Sequence, residues 1–188
     1  DEFDRTFLKL TPTIAALTTL ESEHLDTYKD LDDIKAAFIE FANKVPFYGF
    51  VTLCLDEPAL QDIMPHINKN IITYGLNVQS DVRATDITHN GFASSYKVKY
   101  FGEDLGEITL KIPGDHNIKN SLVAVVIGKE LGVDFKVIKS SLESFSGVYR
   151  RFEVKYNKEI LVIDDYAHHP TESAATLKGI RDGWDRRL

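Results

Sequence analysis

Three short apolar runs, separated by two helical patterns, constrain this chain more than any other feature. Thr13-Ile14-Ala15-Ala16-Leu17-Thr18 follows Pro12 and reads as a buried strand. Leu31, Ile34, Ala37, Phe38, Phe41, Ala42 and Val45 then recur at helical spacing, with Asp30 or Asp32 to cap the start and Pro46 to mark the end. Phe50 to Leu55 is a second buried strand. Asp56-Glu57-Pro58 opens a short helix toward Met64, and Ile71-Ile72-Thr73-Tyr74 is a third strand closed by Gly75. Strand, helix, strand, helix, strand predicts a parallel sheet flanked by helices.

The pattern then changes. Residues 81–88, 92–100 and 105–112 read as successive strands, divided by Asn90-Gly91 and Gly102-Glu103-Asp104. Asn-Gly between apolar runs is a hairpin signal, so a small antiparallel subsheet is expected. Helices follow from about Asn117 to Leu131, with Gly132 at its end, and from about Phe135 to Phe145. Residues 146–151 form a non-periodic joint. Glu153 to Tyr156 and Ile160 to Asp164 make a hairpin across Asn157-Lys158, and a last helix begins near Thr171. A domain boundary is expected near residues 147–152.

The balance of 43% hydrophobic and 27% charged residues is that of an ordinary globular chain. A formal net charge of -7 without a Lys/Arg cluster argues against nucleic acid or an anionic membrane as partner. The single cysteine, Cys54, lies in the run Phe50–Leu55 and reads as a small buried hydrophobe, which leaves out a disulfide framework. No apolar stretch spans a membrane and no leader-like pattern precedes the first strand, so a reducing cytoplasm is the expected compartment. The chain starts at Asp1 without Met and stops at Leu188 just after a helical pattern, as expected of a piece of a longer protein.

Four segments hold the residues suited to chemistry. Pro113-Gly114-Asp115-His116-Asn117-Ile118-Lys119-Asn120 turns from strand into helix, and Asn117 and Asn120 share the face of its first turn. Two amides offer the donors and acceptors to read a purine edge; the alternative is plain helix capping by Asp115 or Asn117. Arg150-Arg151 lies in the joint, where planar forks suit phosphate oxygens or form a solvated charge pair. Asp164-Asp165-Tyr166-Ala167-His168-His169-Pro170 follows the strand Ile160-Leu161-Val162-Ile163, the edge at which open α/β sheets bind ligands. Its spacing fits no standard zinc pattern, and a polar or phosphate-linked ligand suits it better. The structural alternative is a capped turn, with Asp or Thr171 as cap and Glu172 in the first turn. His24, beside Glu21, Glu23 and Asp26, follows the first strand and suits a cation.

Taken in this order, the segments resemble the Mur ligases of bacterial cell-wall synthesis, over essentially the whole chain. Asp1-Glu2-Phe3-Asp4 with Phe7-Leu8-Lys9-Leu10 looks like the tail of the family's Glu-Ala-Asp-Glu-Ser-Asp segment, with Phe3 in place of a usual Ser. Glu21-Ser22-Glu23-His24-Leu25-Asp26 looks like its Glu-x-x-His-x-Asp magnesium motif, and Val45-Pro46-Phe47-Tyr48-Gly49 matches a segment that typically follows. Gly114 to Asn120 resembles the Gly-x-His-Asn-x-x-Asn adenine motif, and Arg150-Arg151-Phe152 with Asp164 to Glu172 complete the set.

The resemblance implies a central ATP-binding domain over residues 1–149 and the start of a second, Rossmann-like α/β domain over residues 150–188. It implies ATP and Mg2+ as cofactors, UDP-N-acetylmuramate and L-alanine as substrates, and an amide bond made through an acyl phosphate. His24 would ligate magnesium. Asn117 and Asn120, with His116, would face the adenine. Arg151, with Arg150, would contact phosphate, and Asp165 the ribose. His168, with Tyr166 beside it, would lie near the acyl phosphate or the incoming amino acid. No Gly-x-x-Gly-Lys-Thr/Ser loop occurs in these residues, and the resemblance puts it upstream of residue 1. The chain alone is therefore expected to be inactive. A ligase that joins a recycled peptide to the same nucleotide, which tends to carry Phe where Tyr166 stands, and a non-catalytic nucleotide-binding module are the alternatives.

Overall fold

The computed structural model describes residues 4–22 and 26–184. Along the chain run β1 (Ile14–Leu17), α1 (Leu31–Asn43), β2 (Phe50–Cys54), α2 (Pro58–Ile63), β3 (Asn70–Gly75), β4 (Val82–Asn90), β5 (Ala93–Tyr100), β6 (Glu103–Leu110), α3 (Asp115–Glu130), α4 (Phe135–Ser144), β7 (Glu153–Asn157), β8 (Leu161–Asp164) and α5 (Pro170–Gly183). Strands β1 to β6 hydrogen-bond in chain order, and β7 and β8 form a separate two-stranded sheet. The chain divides into two compact units, Asp1–Arg83 and Ala84–Leu188. Among the described residues, no helix is long and apolar enough to cross a membrane.

In the first unit β1 pairs with β2 and β2 with β3 in parallel, as the alternating pattern predicts; β3 also pairs in parallel with the start of β4, which the sequence pattern groups with the antiparallel strands. Strand β2 is buried at every residue, which is why its sequence reads as a continuous apolar run. Cys54 is 1% exposed, as expected of a core residue. Asp30 caps α1 by accepting from the Asp33 N–H, and Ile34, Ala37 and Ala42 give the helix its buried stripe. Tyr74 is buried at 1% exposure and its hydroxyl donates to the Leu17 carbonyl, tying β3 to the end of β1.

In the second unit β5 and β6 form the expected antiparallel hairpin, with a bulge at Val98/Lys99. Helix α3 buries Ile118, Leu122, Val125 and Val126, and Tyr96 from β5 shares a hydrogen bond with the buried Ser121. Burial pushes the Tyr96 hydroxyl up to about 12, so it stays neutral. Gly132, at φ +76, closes α3: its N–H donates to Lys129 and the next N–H to Gly128.

Two expected caps are corrected. The N-cap of α3 is Gly114, which makes no side-chain cap bond, so neither Asp115 nor Asn117 caps it. The N-cap of α5 is His169, whose ring accepts from the Thr171 N–H. Pro170 holds the first helical position, which moves the start one residue before Thr171.

Gly49 is where the first unit is most tightly threaded. A Cβ there would lie 1.9 Å from the Thr13 carbonyl oxygen and 2.8 Å from Val45 Cγ1. The obstacle is backbone entering β1, which cannot turn aside as a side-chain tip can. Gly49→Ala should therefore destabilise the chain by about 3 kcal/mol, the upper end of an overpacking cost. Urea unfolding of the two chains measures it.

Candidate functional site

The loop that ends β6 sets the first wall. Gly114 stands at φ +97, a backbone region that favours glycine, and a Cβ there would lie 2.7 Å from His116 Cε1. The glycine thus serves both the turn and the approach of the His116 ring. Asn117 donates its side-chain N–H to the Pro113 carbonyl at 2.7 Å, which leaves the amide oxygen to accept. Asn120 is exposed in the first turns of α3.

The joint and the loop after β8 build the second wall. The Tyr166 N–H donates to the Arg150 carbonyl at 2.8 Å, and the Glu153 carboxylate accepts from the Arg150 N–H at 3.1 Å. The Arg150 and Arg151 guanidinium carbons lie 5.2 Å and 5.7 Å from the centroid of the Tyr166 ring. That ring is 5.4 Å from the His168 ring. Arg150 also pairs with Asp164 at 3.6 Å and Arg151 with Glu172 at 3.6 Å, both long contacts at half-exposed side chains.

Asp165 holds this wall together. Its carboxylate accepts from the Phe152 N–H at 3.1 Å, the Ala167 N–H at 2.8 Å and the Thr176 hydroxyl at 3.1 Å. Glu172 accepts from the His168 N–H at 3.1 Å and lies 3.3 Å from His168 Nδ1. Burial works to raise the Glu172 carboxyl, but the His168 and His169 N–H groups and Arg151 outweigh it and leave it lowered.

The structure thus brings Arg150, Arg151, Tyr166 and His168 together, with Asp165 as their anchor. His116 faces the same region: burial depresses its imidazole below the ordinary 6.5, while Asp165 and Asp115 act to raise it and Lys119 and Arg151 to lower it. His24 lies outside the described residues. A cavity of about 380 Å³ opens beside the joint, lined by Phe92, Pro113, Tyr149, Arg151 and Phe152 among others; it includes none of His116, Asn117, Asn120 or His168. A cluster absent from the sequence reading joins His89, Asp115, Lys178 and Asp182. Only the spacing of Lys178 and Asp182, four apart on one helix, hints at it in the sequence.

His116 carries a pH signature. Its folded-state value is lowered, so below pH 6.5 the unfolded chain binds a proton that the folded chain refuses. Stability is expected to fall as pH drops from 7 toward 5.5, by at most about 1.4 kcal/mol per pH unit for one proton. His116→Gln should flatten that part of the profile, as read from urea midpoints at several pH values.

Residues 2–128 match the Mur ligase middle domain, and residues 150–188 match the Mur ligase glutamate ligase domain. The UDP-N-acetylmuramate–L-alanine ligase of Geotalea uraniireducens is 51% identical over 189 residues, covering 100% of this chain and 41% of that protein. The crystal structure of UDP-N-acetylmuramate-alanine ligase from Thermotoga maritima superposes with a TM-score of 0.83 at 25% identity, covering 99% of this chain and 42% of its own. The MurF ligase of Thermotoga maritima in complex with ADP shares the fold at a TM-score of 0.76 and 20% identity, over 91% of this chain and 39% of its own. The chain spans about two fifths of the length of the curated relatives it matches. With the middle-domain match running over residues 2–128, the chain belongs to the Mur ligase family.

Proposed function

We propose that this chain forms part of the active site of an ATP-dependent ligase that joins the muramyl carboxylate of UDP-N-acetylmuramate to L-alanine. Residues 1–149 belong to its central ATP-binding domain and residues 150–188 to the start of its C-terminal domain. The observation that carries the reading is the pair of guanidiniums over Tyr166 beside the exposed His168. Two loosely paired cations next to an imidazole suit transfer of a phosphoryl group followed by attack of an amine. The choice of substrates follows the relative that is 51% identical across the chain. The compartment is the bacterial cytoplasm.

The steps balance on this chain's own residues. The γ-phosphoryl group of ATP passes to a carboxylate oxygen of the muramyl group, giving an acyl phosphate and ADP. Half-exposed pairs such as Arg150–Asp164 and Arg151–Glu172 are worth about 0–1 kcal/mol each, so exchanging a carboxylate for phosphate oxygens costs little. The alanine amine then attacks the carbonyl carbon. The C–N bond forms, the C–O bond to phosphate breaks, inorganic phosphate leaves, and the His168 imidazole accepts the proton the amine sheds.

Asn117 and Asn120 read the adenine edge, the first through the oxygen its Pro113 bond leaves open. His116, kept uncharged by burial, lies beside the base. Asp165 has lone pairs beyond its three donors to accept a ribose hydroxyl. Magnesium, assigned to His24 on family likeness, would offset charge on the phosphates.

The test is alanine-dependent phosphate release by the ligase that carries this sequence. His168→Ala should lower kcat about 100-fold, the scale of a lost proton acceptor, and leave ATP binding by calorimetry unchanged. Unchanged release would remove His168 from the site.

A further inference from the structure

The end of α5 away from His168 holds a second built cluster. His89 in β4 places Nε2 3.0 Å from Asp115 Oδ1 and Nδ1 3.0 Å from Ser94 Oγ. Lys178 donates to Asp115 Oδ2 at 2.7 Å and to Asp182 Oδ2 at 2.7 Å. Ligand atoms of His89, Asp115 and Asp182 all lie within 4.8 Å of one another, a spacing that would suit a divalent cation. The charge between these two carboxylates is already supplied, by the chain's own ammonium.

Lys178 itself is 58% exposed, but the helix that carries it is packed into a junction. The Trp184 ring meets Phe92 edge-on at 4.5 Å and stacks at 6.1 Å on Phe152. The Gly91 N–H donates to the Gly183 carbonyl at 2.9 Å. A Cβ on Gly183 would lie 2.5 Å from the Gly91 oxygen, and one on Gly179 3.6 Å from Gly114 Cα. Helix α5 therefore approaches both the turn after β4 and the start of α3 at backbone distance.

We infer that Lys178 is a positioning residue, an internal cation that latches α5 onto the first turn of α3. Asp115, which it grips, immediately precedes His116 and Asn117. Helix α5 starts at Pro170, about 12 Å along its axis from Lys178, and that start carries Glu172 and follows His168. The latch thus sets the spacing between Gly114–Asn120 and Asp164–Glu172. Only the naming of what is positioned rests on the ligase reading; the latch itself is tested without nucleotide.

Trp184 is the only tryptophan, so its emission reports docking of the end of α5. In the chain with Lys178→Met, acrylamide quenching of Trp184 should rise, and exchange of the Gly91 amide should quicken about 10-fold or more, as for a local opening. Amides of the buried strand β2 should keep their protection, and Lys178→Arg should restore both signals. In the ligase, Lys178→Met should lower kcat at least about 10-fold, as a misplaced group does, with the KM for L-alanine unchanged. Wild-type quenching and Gly91 exchange in Lys178→Met would overturn the latch. So would equal loss of protection at Gly91 and β2, which marks a global effect. An unmodified ligase without ATP-dependent activity would overturn the ligase reading alone and leave the latch standing.

Discussion

Donors from three separate stretches converge on the Asp165 carboxylate: the joint through Phe152, the loop through Ala167, and α5 through Thr176. The backbone they hold is not relaxed. Arg150 and Phe152 both stand in the left-handed region, at φ 57 and φ 52, on either side of Arg151. Each such residue costs about 1 kcal/mol or more, whereas a hydrogen bond to a charged acceptor contributes about 1.5–3 kcal/mol. Three bonds to one carboxylate outweigh two strained residues. The balance explains why a chain would keep Arg150 and Arg151 in a conformation it resists: the kinks aim both guanidiniums at Tyr166. Asp165 is first an organiser of the wall, and any contact it makes with a ligand is added to that role.

The parallel part of the fold was legible because buried parallel strands leave continuous apolar runs, as Phe50–Cys54 does, and because α1 carries its burial at helical spacing. The antiparallel β5–β6 pair was readable from two strand-like runs divided near Gly102, although Glu103 and Asp104, read as part of the divider, belong to β6. The caps were not. His169 falls outside the usual N-cap preference, and Gly114 has no side chain with which to cap. Gly114 is needed for its backbone angle and for room beside His116. His169 accepts from the Thr171 N–H, while Glu172 takes the place in the first turn that a capping box requires.

The residue types of the candidate site could be picked out segment by segment, but their pairings could not. Arg150–Arg151 and Asp164–His169 could be picked out for their residue types, yet nothing local shows that Tyr166 takes its place beside both arginines. The His89–Asp115–Lys178 chain links residues 26 and 63 positions apart, and no periodic signal reaches that far. Asn117 shows the opposite difficulty. Its type left a ligand contact and helix capping open, while one of its two side-chain N–H donors goes to the Pro113 carbonyl and the turn.

These pairings give α5 a role that its sequence does not advertise. Its first turn is held by Glu172, which accepts from the His168 N–H and faces Arg151, and its last turn by Lys178, Asp182 and the Gly183 carbonyl. A helix tied at one end only could swing; one tied at both ends transmits displacement along its axis. The cations of the Arg151–Glu172, Lys178–Asp115 and Lys178–Asp182 pairs are all about half exposed, so each tie is weak singly and the helix is held by their sum and by the close backbone approach at Gly183 and Gly179.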